Sequence, residues 1–506
     1  MKTSGRILIA CLLPLTLLAA CTVGPDYVRP TAPIPDAYKE LDTWRVAEPK
    51  DNVTRGSWWE IFDNPELNTL EEKVNISNQN IAMAEAQYRQ SRALVRAARA
   101  AFFPTATAGA SFTRSRTPVS AGATLRTTGT TSEYVLTGDA SWEPDIWGKV
   151  RRTVEASRAS AQASAADLES VRLIAHATVA QDYFQLRTLD AEKQLLDATV
   201  IDYQKSLQLT KNRYASGVAS KEDILLAETL LKTTQAQAID IGVQRSQLEH
   251  AIAVLIGEPA SVFSISPTQL TPECLFNLLC IQGDHKIVPP AVPVGVPSEL
   301  LERRPDIAAA ERLVAAANAQ IGIAEAAYYP NLMLTASGGF QGSQLSNWIS
   351  WPNRFWAVGA SILETIFDAG LRRAQTEQAR AAYEATVASY RQTVLTGFQE
   401  VEDNLAALRI LEEEARVQDE AVRAAQQSVK VLTNQYRAGT ASYLDVIVVQ
   451  TAALNNERTA MTILGQRMNA AVLLIKAIGG GWDASALPSA EDLLINDEKR
   501  GQTDLH

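Results

Sequence analysis

The spacing of apolar and polar residues changes along this chain, and the same series of changes comes twice. From Thr105 the period is two. Ala106, Ala108, Ala110 and Phe112 face one way, and Thr105, Thr107, Ser111 and Thr113 the other. A return run sets Leu136, Gly138, Ala140 and Trp142 against Thr137, Asp139, Ser141 and Glu143. This alternation predicts a hairpin of half-exposed strands within residues 104–145. A helical period follows. Val179, Leu186, Lys193, Val200, Leu207 and Tyr214 recur every seven residues, as in a coiled-coil seam. The predicted helix over 148–214 would be roughly 100 Å long at about 1.5 Å per residue. A further helix is predicted over 221–256. The series then restarts with a helix over 299–327, a hairpin over 330–368, a long helix over 370–437 and a helix over 443–477. The second hairpin places Leu332, Leu334, Ala336, Trp356, Val358 and Ile362 on its apolar side. The second long helix has its own ladder, Val401, Leu408, Ala415, Val422, Val429 and Tyr436. The first repeat also begins with a helix, predicted from Pro65 to Ala101.

The duplication is clearest where each long helix ends. Tyr214, Gly217, Ala219, Ser220 and Asp223 recur as Tyr436, Gly439, Ala441, Ser442 and Asp445, at an offset of 436 − 214 = 222. Glycine just past the last periodic residue stops a helix. Ser220 and Ser442 are natural N-caps, and Asp223 and Asp445 fall at N3, where a carboxylate answers the cap. Both stretches are helix–turn–helix tips. The duplication divides the chain into a segment 21–63, a first repeat 64–280, a second repeat 281–478 and a tail 479–506, expected to be charged and disordered.

The N-terminus adds an address. Lys2 and Arg6 precede the apolar run Ile7 to Leu18, followed by Ala19, Ala20 and Cys21. Residues 1–20 read as a secretory signal peptide, and Cys21 is placed like the cysteine that becomes the lipidated N-terminus of bacterial lipoproteins. The apolar run is too short to span a bilayer as a helix. Residues 21–55, with Pro25, Pro30, Pro33 and Pro35, predict an extended strap. Cys274 and Cys280 are either a local disulfide or two reduced, buried thiols. A net charge of −10 without a basic run speaks against nucleic acid. His176, His250, His285 and His506 fall in no motif, and no nucleophile motif or phosphate loop occurs, so neither an enzyme nor a metal site is expected.

Four strands cannot close a barrel, and lipid does not tolerate an open sheet edge. If the hairpins insert, the chain must oligomerise. Two copies give eight strands with a filled interior, and three give twelve with a lumen. Small polar residues on one face suit a wet pore. Phe102, Phe103, Trp142, Trp147, Tyr328 and Tyr329 at strand ends are placed like the aromatic girdles of outer-membrane barrels.

Together these features resemble the outer-membrane efflux channels of the TolC type, in their lipidated OprM-like branch. The resemblance rests on Cys21 with Gly24, Pro25, Asp26 and Tyr27, on Trp58, Trp59, Phe62 and Pro65, and on Leu301 to Ile307. Tyr436 to Gly439 and Gly479 to Trp482 add to it. It implies an α+β, mostly α fold: a homotrimer with a twelve-strand barrel on a long α-helical barrel and a mixed equatorial belt. It implies outer-membrane lipid around the barrel, a periplasmic adaptor, and an inner-membrane pump of the resistance–nodulation–division class. The channel would export drugs or other small toxic compounds passively, without a cofactor beyond the lipid (palmitate among its chains) on Cys21. In this family the tips close the periplasmic mouth. The matching positions are Leu444, Asp445, Tyr436 and Arg437 on the second tip, and Tyr214, Glu222 and Asp223 on the first. Where some members place an arginine two residues after the glycine, this chain has Ala441, which leaves Arg437 or Arg213 for that role. The competing reading is a periplasmic coiled-coil lipoprotein that tethers the envelope; it has no use for amphipathic strands with aromatic ends. Metal export and protein secretion are the other channel readings.

Overall fold

A computed structural model describes residues 22–41, 56–116, 130–267, 289–290 and 297–494. The signal segment, Cys21, Cys274 and Cys280 lie outside the described residues, as does the tail beyond 494. The repeated plan is present. The first copy comprises α1 (Pro65–Ser77), α2 (Gln79–Ala100), β1 (Thr105–Arg116), β2 (Thr130–Trp142), α3 (Lys149–Ala215) and α4 (Lys221–Leu255). The second comprises α5 (Leu300–Arg303), α6 (Pro305–Ala326), β3 (Asn331–Gly342), β4 (Arg354–Leu363), α7 (Leu371–Ala438) and α8 (Tyr443–Ala477).

The strands form one antiparallel sheet in the order β1-β2-β3-β4. Its register pairs Phe112 with Tyr134, Tyr134 with Gly342 and Phe340 with Arg354. Even-numbered positions thus share one face across all four strands, and this face carries most of the large apolar residues, with Val135, Met333, Phe355 and Leu363 on the other. β1 and β4 are the outer strands. Below the sheet, α3 packs on α2, α4, α6 and α8, and α7 packs on α6 and α8. The heptad positions fulfil their prediction over the upper half of the seam, where Val179, Leu186, Val401 and Leu408 are buried.

Two predicted helices are each broken in two. The single helix from Pro65 ends at Ser77, and the predicted helix 299–327 is split at Arg304. The breaks are equivalent. At the first, Asn78 caps α2 by accepting from Asn80 N and Ile81 N, and its Nδ2 donates to Leu255 O at the end of α4, at 2.7 Å. At the second, Arg304 is extended before Pro305, and its Nη1 donates to Ala477 O at the end of α8, at 3.1 Å. Residues before proline avoid the helical region. Each break also receives the glycine that follows the docking helix. A Cβ on Gly257 would lie 2.2 Å from Ser77 O, and one on Gly479 would lie 2.0 Å from Arg303 O. Both glycines have positive φ, +73° and +95°. The tail departs from expectation as well: residues 484–486 and 492–494 form short 3-10 turns, and Leu493 is fully buried against Val95 and Ala161.

A buried polar pair lies in the belt around these breaks. Glu71 Oε2 is 2.7 Å from His176 Nδ1, and Trp59 stacks on the imidazole with ring centres 4.4 Å apart. Burial, with a smaller contribution from the Arg172 charge, pushes His176 down to about 4. Burial pushes the Glu71 carboxyl well above 4.5. Both shifts disfavour charge, so the folded pair holds a single proton. The unfolded pair also holds one between its ordinary values, 4.5 and 6.5. Within that window the pair makes stability level. Above pH 6.5 the unfolded pair has released its proton while the folded pair keeps it, so stability falls as pH rises. Below 4.5 the unfolded pair takes up a second proton, and stability falls as pH drops.

Glu71→Gln removes the first of these limbs. Urea unfolding across pH should show the wild-type-minus-variant stability falling by about 1.4 kcal/mol per pH unit from 4.5 upward, until the folded Glu71 itself ionises. A level difference would rule out the retained proton. At the breaks, Gly257→Ala and Gly479→Ala should each cost at least about 1–3 kcal/mol through left-handed backbone strain. Added crowding on a carbonyl makes them worse than Gly217→Ala, where no atom lies within 4 Å of the new Cβ. Urea midpoints of the three variants measure this order.

Candidate functional site

The tips lie at the end of the long helices remote from the sheet. α3 ends at Ala215 and α7 at Ala438, with Gly217 and Gly439 in the left-handed region at φ +76° and +81°. Complete capping boxes open α4 and α8. Ser220 Oγ accepts from Asp223 N, and Ser442 Oγ from Asp445 N. Asp223 Oδ2 in turn accepts from Ser220 N at 2.9 Å, and Asp445 Oδ2 from Ser442 N at 3.1 Å and Ser442 Oγ at 2.7 Å. Both carboxylates therefore have a local task at their helix starts.

The second tip is held against the first by a small cluster. Tyr436, Tyr443, Val446 and Ala227 are buried together. The two tyrosine rings are tilted, with centres 5.3 Å apart. Their hydroxyls reach α3: Tyr436 is 3.4 Å from Thr210 Oγ1 and Tyr443 is 3.2 Å from Ser206 Oγ. Burial pushes the Tyr443 hydroxyl above its usual range. Arg213 closes the cluster. Its guanidinium carbon stands 4.4 Å from the centre of the Tyr436 ring, and its Nη1 donates to Tyr436 O at 2.7 Å and Arg437 O at 3.3 Å. Partly buried cation–π contacts and bonds to helix C-terminal carbonyls each favour an arginine here.

The sequence-derived residues thus divide into two groups. Tyr436 is an internal packing residue of the tip. Leu444 and Tyr214 are 55% and 47% exposed, and Glu222, Asp445 and Arg437 are exposed beside them. Asp223 is half-buried in its capping box. Of the two candidate arginines, Arg213 makes the link between tips, while Arg437 contributes its carbonyl. The signal for Arg213 is positional: it stands where the second repeat has Gln435, directly before the shared tyrosine. Tyr443 differs from its counterpart Lys221 in the same manner.

At the opposite end the strap runs along the junction of sheet and helices. Val23 N donates to Trp147 O at 3.1 Å. Arg152, buried, donates to Val23 O, Gly24 O and Asp26 Oδ1 at 3.1–3.2 Å. Tyr27 donates to Glu311, and Asn318 Nδ2 to Pro25 O at 3.0 Å. A Cβ on Gly24 would lie 2.4 Å from Gly322 Cα, so the strap needs glycine at this crossing. Trp147 and Tyr329 stack at the sheet margin with centres 4.8 Å apart. Among the described residues no helix is long and apolar enough to cross a membrane, and no cluster of possible metal ligands occurs.

The sequence profile described as Outer membrane efflux protein matches residues 71–258 and 296–480, one segment for each repeat. The outer membrane protein OprJ of Pseudomonas aeruginosa is 30% identical over 476 residues, covering 94% of this chain and 95% of that protein. A toluene efflux pump outer membrane protein of Pseudomonas putida, TtgC, is 29% identical over 468 residues, covering 92% and 94%. Among solved structures, the outer-membrane channel OprN superposes with a TM-score of 0.82 at 30% identity, covering 91% of this chain and all of that one. The chain belongs to the outer membrane efflux protein family, the outer-membrane components of efflux pumps.

Proposed function

We propose that this chain is the exit duct of a three-part efflux assembly. Three copies join their sheets edge to edge into a twelve-strand barrel, and their long helices continue the bore into the periplasm. Cys21 carries the lipid anchor. A periplasmic adaptor and an inner-membrane pump of the resistance–nodulation–division class deliver the cargo, small organic toxicants of the kind named for the toluene-exporting relative. The chain performs no reaction. The observation that carries this reading is the sheet, whose large apolar residues gather on one face across four strands while both outer strands keep open edges. The strap supports the anchor, because Thr22 sits against Gly148 at the margin of the sheet, one residue from Cys21.

The tips are the gate in this proposal. Threefold repetition turns exposed Leu444 into an apolar ring and exposed Asp445 into an anionic one. The Arg213–Tyr436 contact holds the second tip inward.

Purified trimers in planar bilayers test the ring. Leu444→Ser and Asp445→Ala should raise resting conductance and sensitise cells to vancomycin. Ser442→Ala is the control, since it removes the cap hydroxyl, worth about 1 kcal/mol, and keeps the carboxylate. Equal conductance in Ser442→Ala and Asp445→Ala would assign the effect to the helix start and remove the carboxylate from the gate. Arg213→Ala should loosen the tip more than Arg437→Ala, which leaves the backbone carbonyl in place. The readout is leak conductance, and the reverse order would overturn the assignment of the lock to Arg213. Wild-type trimers with no conductance, even with the tips mutated, would sink the duct itself.

A further inference from the structure

The end of the sheet farthest from the helices carries charge that a passive duct does not require. Arg114 and Arg116 continue β1 past Phe112, whose ring lies 4.7 Å from Tyr134, and Arg354 opens β4. All three are even-numbered and stand on the apolar face shared with Val358 and Ile362, the face that meets lipid. All three are exposed. Arginine is costly on the lipid side at mid-bilayer and tolerated at its interface. Arg354 is further fixed, its guanidinium carbon 3.8 Å from the Trp351 ring centre.

Nothing beside them balances the charge. Residues 112–132 and 340–356 contain no Asp or Glu, in a chain of net charge −10. Glu133, the nearest acid, is odd-numbered, stands on the opposite face and accepts from Gln341. None of the three arginines meets a carboxylate among the described residues. The other end of the sheet is built differently. There Lys149, Arg151 and Arg372 face Glu143, Asp145 and Asp368 at 3.7, 3.1 and 2.6 Å. Cations are neutralised by protein at one end and left open at the other.

We propose that Arg114, Arg116 and Arg354 bind the phosphate groups of the outer-leaflet glycolipid, of the lipid A class. The inference rests on the barrel reading above. The Cα atoms of Arg114 and Arg116, two strand residues apart on one face, are spaced by about 7 Å, so two long side chains can converge on one phosphorylated headgroup. Arginine forks match phosphate oxygens in paired, charge-assisted bonds. In a closed barrel β4 of one copy adjoins β1 of the next, so the three arginines flank the seam between copies. Bound lipid then ties the seam.

The test measures the dissociation temperature of purified full-length trimers in detergent as bisphosphorylated lipid A is added. Dephosphorylated lipid A and inorganic phosphate form parallel arms. The wild type should be stabilised by the phosphorylated lipid alone. Arg354→Gln should need roughly tenfold more lipid for the same shift, and the pair Arg114→Gln with Arg116→Gln roughly a hundredfold, because each lost charge-assisted contact weakens binding by about a factor of ten. Lysine at all three positions keeps the charge and should keep a response, which separates binding from misfolding. An equal shift with dephosphorylated lipid, or Gln variants that respond as the wild type does, would overturn the proposal. Stabilisation by inorganic phosphate alone would also overturn it, as a free-anion site. Bilayer conductance is read on the same preparations. Its absence in the wild type counts against the duct, while the lipid response remains readable on the intact trimer.

Discussion

The governing constraint is that a four-stranded sheet with an apolar face cannot stand alone. Its outer strands, β1 and β4, are twelve and ten residues long and are paired on one side only, so alternate residues present unpaired backbone groups. In lipid those groups have no water to turn to. Closing the edges with further copies of the same sheet satisfies both at once, because each chain offers one β1 and one β4. The rest of the fold follows from that closure. The long helices α3 and α7 follow β2 and β4 directly and run 67 and 68 residues, with heptad positions Val179, Leu186, Val401 and Leu408 buried. The matched profile covers the two repeats and leaves out residues 259–295 between them.

The two repeats meet where α3 packs on α6 and α8. Within each repeat, the corner is closed by the break at Asn78 or Arg304. Asn78 sits between α1 and α2 and Arg304 between α5 and α6, and each ties its corner to the end of the return helix, α4 or α8. The residues differ, amide in one and guanidinium in the other, yet both donate to a helix-terminal carbonyl and both face a left-handed glycine. Arg304 does more. It also meets Asp306 at 2.7 Å and Glu400 on α7 at 2.6 Å, which holds its charge in place despite burial. A charge buried without such partners would be untenable, so the second corner is built from three elements and the first from two.

Most of the architecture was legible because period is a strong signal over long stretches. Strand limits, the long helices and the tips fall within a few residues of their predictions. The breaks were not read, although Asn78 precedes a polar helical turn and Pro305 could have marked a helix start with Arg304 held extended. An apolar period continues through both, and period says nothing about a side chain that bonds to a carbonyl 177 residues away. The tail escaped for a related reason. Leu493 is a single apolar residue in a charged stretch, and its burial depends on a groove between α2 and α3 that no local pattern describes.

The candidate gate was legible as a pair of matching tips, but its mechanics reside in what fails to match. Identical tips would pack as a symmetrical pair with no preferred mobile partner. Here Tyr443 replaces the lysine of the first tip and is buried, while Arg213 replaces a glutamine and reaches across. The first tip thereby holds the second through one aromatic face and two carbonyls, and nothing equivalent runs the other way from Gln435. The hold adds a cation–π contact and hydrogen bonds, individually weak, to the small buried cluster of Tyr436, Tyr443, Val446 and Ala227. In the proposed gate, release of this contact leaves both helix pairs folded, because the capping boxes at Ser220 and Ser442 are complete within their own tips. A tip capped within itself and joined to its neighbour through one small cluster is what the proposed gate requires.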